Sequence, residues 1–328
     1  MGNIEFDLTD LKEKLLSIKS EIEKNRNIIL TAHINPDGDA VGSGLALYLT
    51  LKKEYSGKNI RFILQDDIPY TTKFLKYSDE IEKYDKTKEY ETELLIYLDS
   101  ATKERTGVIH ENIKASKTIN IDHHVSNPDY ADINCVIRNF SSTSQIIYNF
   151  IKICDYEFTK EIAEALYLGL VNDTGNFSHS NVTKDVFEMA LTLVGEGVIP
   201  NYIVNNFLNS NSYAALKIVG YALNKFEYFQ DKKLAYIFIS TEIMKKYKAK
   251  KEDTETIVEK ILSYSEASVS LFLREEENGI IKGSMRSKYE KNVNEIAAIF
   301  GGGGHHKAAG FSSSLSCNEI LKIILEKL

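Results

Sequence analysis

Short apolar runs recur through the first part of the chain at Ile28-Ile29-Leu30, Arg61-Phe62-Ile63-Leu64, Leu94-Leu95-Ile96-Tyr97-Leu98 and Thr118-Ile119-Asn120-Ile121, separated by segments able to hold helices. Strands that alternate with helices predict an α/β domain: a mainly parallel sheet with helices on both faces. Leu8, Leu11, Leu15, Ile18 and Ile22 follow helical spacing, so the chain is expected to open with an amphipathic helix. Further helices are expected around 143–153, 160–171 and 184–194. This domain is assigned to residues 1–195 and a helical connector to 196–228. From 229 to 328 a second block opens on Leu234-Ala235-Tyr236-Ile237-Phe238-Ile239 and runs through a helix near 254–263, strands near 267–274 and 279–285, and a glycine run, Gly301 to Gly304. That order predicts a smaller α/β domain, with a cleft between the two. At 328 residues and 43% hydrophobic, the chain can fill two cores.

Charge narrows the possible partners. Lys and Arg number 40 against 47 Asp and Glu, a net −7, which excludes a generally basic coat for nucleic acid. No stretch approaches the roughly 18 apolar residues of a membrane span. Residues 1–20 alternate charges with leucines, unlike a signal peptide, and Gly2 is followed by Phe6 where a myristoylation signal has Ser or Thr. Cys135, Cys154 and Cys317 are too scattered for a disulfide framework and fit a reducing cytoplasm, the expected location.

The histidines cluster in short segments rich in Gly or Asp. His33-Ile34-Asn35-Pro36-Asp37-Gly38-Asp39 follows the first strand, and loops at the carboxyl ends of parallel strands are where ligands gather. Gly38 and Gly42 are expected to let that loop turn tightly. A single Asp after Pro is ordinarily a turn residue or N-cap, but Asp99 closes the third strand, Asp122-His123-His124 closes the fourth, and Asp173 lies in Asn172-Asp173-Thr174-Gly175. So many carboxylates at one sheet edge would resist ionisation without a cation. Carboxylate with imidazole and no thiolate points to Mn²⁺, with Mg²⁺ or Co²⁺ as substitutes, and excludes a cysteine-type Zn²⁺ site. Two ions about 3.5–4 Å apart would share carboxylates and position a bridging hydroxide for displacement at phosphorus. Phosphoester hydrolysis is the expected chemistry.

These segments, with Leu98-Asp99-Ser100, resemble the ordered motifs of the DHH phosphoesterases. Gly283-Ser284-Met285-Arg286-Ser287 and Gly301-Gly302-Gly303-Gly304-His305-His306-Lys307-Ala308-Ala309-Gly310 resemble the DHH-associated C-terminal domain, so the likeness covers almost the whole chain. It implies an enzyme similar to the nanoRNase and phosphoadenosine-phosphate (pAp) phosphatase group. Under it His33, Asp37, Asp39, Asp99, His123 and Asp173 would be Mn²⁺ ligands, Asp99 bridging the ions. His124 would touch the scissile phosphate or protonate the leaving oxygen, and Asp122 would orient its neighbours.

In the second domain, glycines Gly301 to Gly304 abutting His305 and small residues read as a loop entering a closely packed helix, with Gly303 and Gly304 offering backbone N–H groups to an anion. His305 would add a donor. The guanidinium of Arg286 suits a substrate phosphate, and Arg105 is a candidate second contact or else a salt-bridge partner. Long RNA would need an extended basic groove, whereas Lys282, Arg286, Lys288 and Lys291 form at most a local patch. The expected substrates are therefore short oligoribonucleotides, linear dinucleotides such as pApA, and pAp. Cyclic di-AMP phosphodiesterase and inorganic pyrophosphatase are the enzymatic alternatives, and a nucleotide or RNA sensor is the non-enzymatic one. Ile203 and Leu208 are candidate homodimer contacts and equally candidates for the chain's own core.

Overall fold

The computed structural model describes residues 8–328; Gly2 and Phe6 lie outside them. The chain divides into two compact units, up to Ser210 and from Asn211 onward. In the first, α1 (Leu8–Lys24), β1 (Asn27–Ala32), α2 (Gly38–Glu54), β2 (Asn59–Leu64), β3 (Glu82–Lys83), β4 (Tyr90–Leu98), α3 (Ile109–Asn112), β5 (Ile113–Asp122) and β6 (Ile133–Val136) precede α4 (Thr143–Ile153), α5 (Lys160–Asp173), α6 (Lys184–Gly195) and α7 (Pro200–Phe207). The strands form one parallel sheet in the order β3-β2-β1-β4-β5-β6.

Alternation along the strands sorts side chains to the two faces. Ile28 and Leu30 of β1 join Leu94, Ile96 and Leu98 of β4 in the large core under the helices. Ile29, Leu95 and Tyr97 point the other way, into a smaller core closed by Ile109 of α3 and by tyrosines. From α1, Leu11, Leu15, Ile18 and Ile22 are at most 1% exposed, worth roughly 1.5–3 kcal/mol each. Ile203 is likewise fully buried in the chain's own core and so is no dimer contact, while Leu208 is exposed.

Two topological facts position the site. The chain builds outward from β1 to β3, then returns to add β4 beside β1. Loops leaving β1 and β4 therefore diverge and leave a crevice at the carboxyl edge of the sheet. Secondly, α2 starts at Gly38 rather than near residue 41, so Gly42 is no turn residue. It lets α2 cross α5 closely: a Cβ on Gly42 would lie 2.4 Å from the Ala165 carbonyl oxygen.

The second unit runs α8 (Tyr213–Lys225), β7 (Glu227–Phe229), β8 (Leu234–Ile239), α9 (Thr241–Tyr247), α10 (Ile257–Leu262), β9 (Val269–Glu275), β10 (Ile281–Ser287), α11 (Val293–Ala298), β11 (Gly303–His305), β12 (Ala308–Ser313) and α12 (Cys317–Lys327). Its mixed sheet has the order β11-β12-β10-β9-β8-β7, parallel only between β8 and β9. Residues of α11 and α12 cover one face and residues of α8 and α10 the other.

The glycine run departs from expectation. Gly303, Gly304 and His305 form a strand, not the approach to a helix, and pair with Gly310, Ala309 and Ala308 in an antiparallel hairpin. Phe300 stacks on Phe311 at 4.4 Å between ring centroids, and a Cβ on Gly302 would lie 2.5 Å from that of Phe311. The small residues thus serve close strand packing.

Candidate metal centre and active site

His33 lies just beyond β1, with Nδ1 2.9 Å from the Ile34 carbonyl oxygen. A carbonyl only accepts, so Nδ1 carries a proton, and the ring presents an Nε2 lone pair when it is neutral. That Nε2 lies 3.5 Å from Asp99 and 3.8 Å from Asp37. His123, just after β5, repeats the arrangement: Nδ1 is 3.4 Å from the Phe140 carbonyl oxygen, while Nε2 is 3.1 Å from Asp173 and 3.6 Å from Asp99.

The carboxylates are held as firmly. Asp37 is the N-cap of α2, accepting from the N–H groups of Asp39 and Ala40, so its ordinary capping role and its place at the site coincide. Asp39 is fully buried and accepts from the N–H groups of Thr143 (2.7 Å) and Ser144 (3.0 Å) in the first turn of α4. Asp99 follows β4 with φ of 50°, a left-handed conformation that costs a non-glycine residue energy. Its N–H donates to the Ile121 carbonyl of the adjacent strand β5, and the Thr143 hydroxyl donates to its Oδ1 at 3.0 Å. Asp173 ends α5.

Donor atoms within 4.8 Å of one another form three groups: His33, Asp37 and Asp99; Asp39, His123 and Asp173; and Asp99, His123 and His124. Asp99 is common to two of them. Burial and the negative charges of Asp173 and Asp99 push the pKa of Asp39 up, and burial raises Asp173 despite His123. Burial works to lower His33 and His123, but facing carboxylates outweigh it and hold both well above an ordinary histidine. These four groups are thus driven toward their protonated forms, and the cluster can hold a metal cation in place of those protons.

His124 is oriented differently. Its Nδ1 lies 2.7 Å from Asp122, a fully buried carboxylate at the end of β5. Behind it Asn127 donates to Asp122 at 2.6 Å and to Asn120 at 2.7 Å, and Asn120 donates to the Tyr130 hydroxyl at 3.0 Å. Neither this network nor Thr143 and Ser144 is evident from acids and histidines alone. The run Ser141-Ser142-Thr143-Ser144 before an apolar helix is nonetheless an N-cap signature that marks the start of α4.

The side chain of Arg105 is exposed, but its carbonyl accepts from the Ile34 N–H at 2.7 Å, which sets its turn against the His33 loop. Arg286, Gly303, Gly304 and His305 belong to the second unit. There Ala308 pairs with His305 on one side and Arg286 on the other, so the two side chains lie in one cross-strand row. Arg286 also pairs with Glu259 on α10, Nε to Oε1 3.0 Å.

Carboxylates and imidazoles gathered at the switch point of a parallel sheet suit divalent metal ions, and the family that the chain matches makes the class that of the phosphoester hydrolases. The chain belongs to the DHH family: the model of the DHH family N-terminal domain matches residues 27–170 and that of the DHHA1 domain residues 231–328. It is 33% identical over 309 residues to a Thermus thermophilus protein named bifunctional oligoribonuclease and PAP phosphatase NrnA, covering 91% of this chain and 88% of that one. A Bacillus subtilis protein of the same name is 29% identical over 288 residues, 87% of this chain and 88% of its own. The crystal structure of an exopolyphosphatase-related protein from Bacteroides fragilis superimposes with a TM-score of 0.88 at 28% identity, covering 96% of this chain and 95% of the other.

Proposed function

We propose that this chain is a Mn²⁺-dependent phosphoesterase that cuts very short oligoribonucleotides, including linear dinucleotides such as pApA, to mononucleotides, and pAp to AMP and phosphate. The observation that carries the chemistry is Asp99, whose two oxygens face different donor groups. The names of the relatives from Thermus thermophilus and Bacillus subtilis support the substrates. Residues 1–195 are the catalytic domain in this reading, 196–228 a connector and 229–328 the substrate domain.

His33, Asp37 and Asp99 would hold one ion, and Asp39, His123 and Asp173 with Asp99 the other, Mg²⁺ or Co²⁺ serving as substitutes for Mn²⁺. Bound there, the ions supply Lewis-acid charge at phosphorus and lower the pKa of water. The chain's own residues do the rest. Backbone carbonyls fix the tautomers of His33 and His123, and the first turn of α4 holds Asp39 in place. As the oxygen of a water that has given up one proton to solvent bonds to phosphorus and the P–O bond to the leaving oxygen breaks, His124, its Nδ1 held by Asp122, delivers its Nε2 proton to that oxygen and regains one from solvent. Arg286, His305 and the backbone at Gly303 and Gly304 take the terminal phosphate, with Arg105 as a second contact.

Product analysis tests this reading, with the full chain and Mn²⁺ mixed separately with pApA, pAp, cyclic di-AMP, a longer RNA and pyrophosphate. AMP from pApA and pAp, with the longer RNA intact, is the expected result. Consumption of pyrophosphate or cyclic di-AMP alone overturns the substrate assignment, and no turnover of any kind leaves a nucleotide sensor.

A further inference from the structure

We infer that Thr143 is a positioning residue that sets the rotation of the Asp99 carboxylate and thereby divides its oxygens between two metal ions. The inference rests on the reading of Asp99 as a shared ligand. Oδ2 of Asp99 lies 3.5 Å from His33, and Oδ1 lies 3.6 Å from His123. A carboxylate turns readily about its Cβ–Cγ bond, a broad two-fold torsion. Left to turn, it would offer both oxygens to one side. The Thr143 hydroxyl, fully buried, donates to Oδ1 at 3.0 Å and pins that oxygen on the His123 side.

The hydroxyl is not needed by its own helix. Ser142 is the N-cap of α4 and accepts from the Gln145 N–H, so Thr143 is spared the capping role. Its N–H meanwhile donates to Asp39 at 2.7 Å. One residue therefore grips a carboxylate from each donor group, Asp39 through its backbone and Asp99 through its side chain. Replacing the hydroxyl with a methyl keeps the shape and the backbone contact but removes the donor, and residues that orient metal ligands in this way are worth about 10–100-fold in affinity.

The test is Mn²⁺ binding by the full chain, with free Mn²⁺ read from its electron paramagnetic resonance signal and folding checked by circular dichroism. Wild type is expected to take up two equivalents. Thr143→Val should bind one equivalent normally and the other about 10–100-fold more weakly, and Thr143→Ser should restore it. Wild-type binding of both ions by Thr143→Val overturns the inference, as does a Thr143→Ser variant as weak as Thr143→Val, which would assign the effect to methyl packing. Asp99→Ala separates the two levels of argument. If it keeps both ions the shared-ligand reading itself fails; if it loses them while Thr143→Val does not, only the role of Thr143 fails.

Discussion

Burial alone would raise the pKa of Asp122, but the hydrogen bonds from His124 and Asn127 hold it below the usual carboxylate range. The carboxylate is therefore ionised, accepts the Nδ1 proton of His124 and fixes which ring nitrogen can act on substrate. Asp122→Asn keeps the shape and weakens that grip. The expected outcome is a fall in kcat on pApA of roughly 10- to 100-fold, with Mn²⁺ content by atomic emission unchanged; an unaltered kcat would remove Asp122 from the mechanism. The acids and histidines themselves were legible in the sequence because ionisable groups crowd it so visibly. Thr143, Asn120, Asn127 and Tyr130 were not. Ser, Thr and Asn are common surface residues, and only the fold turns these inward onto a carboxylate.

At the scale of elements, the crossing of α2 and α5 fixes where Asp39 stands. A Cβ on Gly169 would lie 2.0 Å from the Ser144 hydroxyl and 2.4 Å from Asp39, and the Gly42 contact is with rigid backbone. Gly42→Ala must push the helices apart, so urea denaturation should show a loss of about 1–3 kcal/mol, the usual range for overpacking. Gly220 is the control. It lies within α8, where an added Cβ would meet nothing within 4 Å, so Gly220→Ala should stabilise by roughly 0.5–1 kcal/mol. Equal effects of the two substitutions would show that the crossing is not tight. Helices α4, α5 and α6 were legible from their apolar periodicity, and β1, β2 and β4 from short apolar runs. The hairpin of β11 and β12 was not, because Ala308, Ala309 and Gly310 carry no period and small residues suit close packing of either kind. What makes them a strand is pairing with β10, a partner in register from Ala308 to Ser313 that no local pattern reveals.

At the scale of the whole molecule, the cysteines report on each unit separately. Cys135 and Cys154 are buried in the first unit, and burial pushes their thiols up to about 12 and about 11. Cys317 opens α12 in the second unit and is partly exposed. Only a thiolate attacks a disulfide reagent, so at about pH 8 the native protein should release one equivalent promptly. The other two should appear only as the first unit opens, and that opening is coupled to the site: α4 reaches Asp39 from the same core that buries Cys135 and Cys154. A ligand bound to the closed form alone stabilises it by about 2.7 kcal/mol at 100 times its Kd. In mild urea, Mn²⁺ at 100 times its Kd should therefore slow exposure of Cys135 and Cys154 by about a hundredfold for each of the two ions bound, provided opening is in rapid pre-equilibrium. Cys317 lies in a unit that holds none of the proposed ligands, so its rate should not move. Equal protection of all three thiols would mean that metal binding stabilises both units together, and protection of none would mean that the ions do not bind where the carboxylates and imidazoles converge.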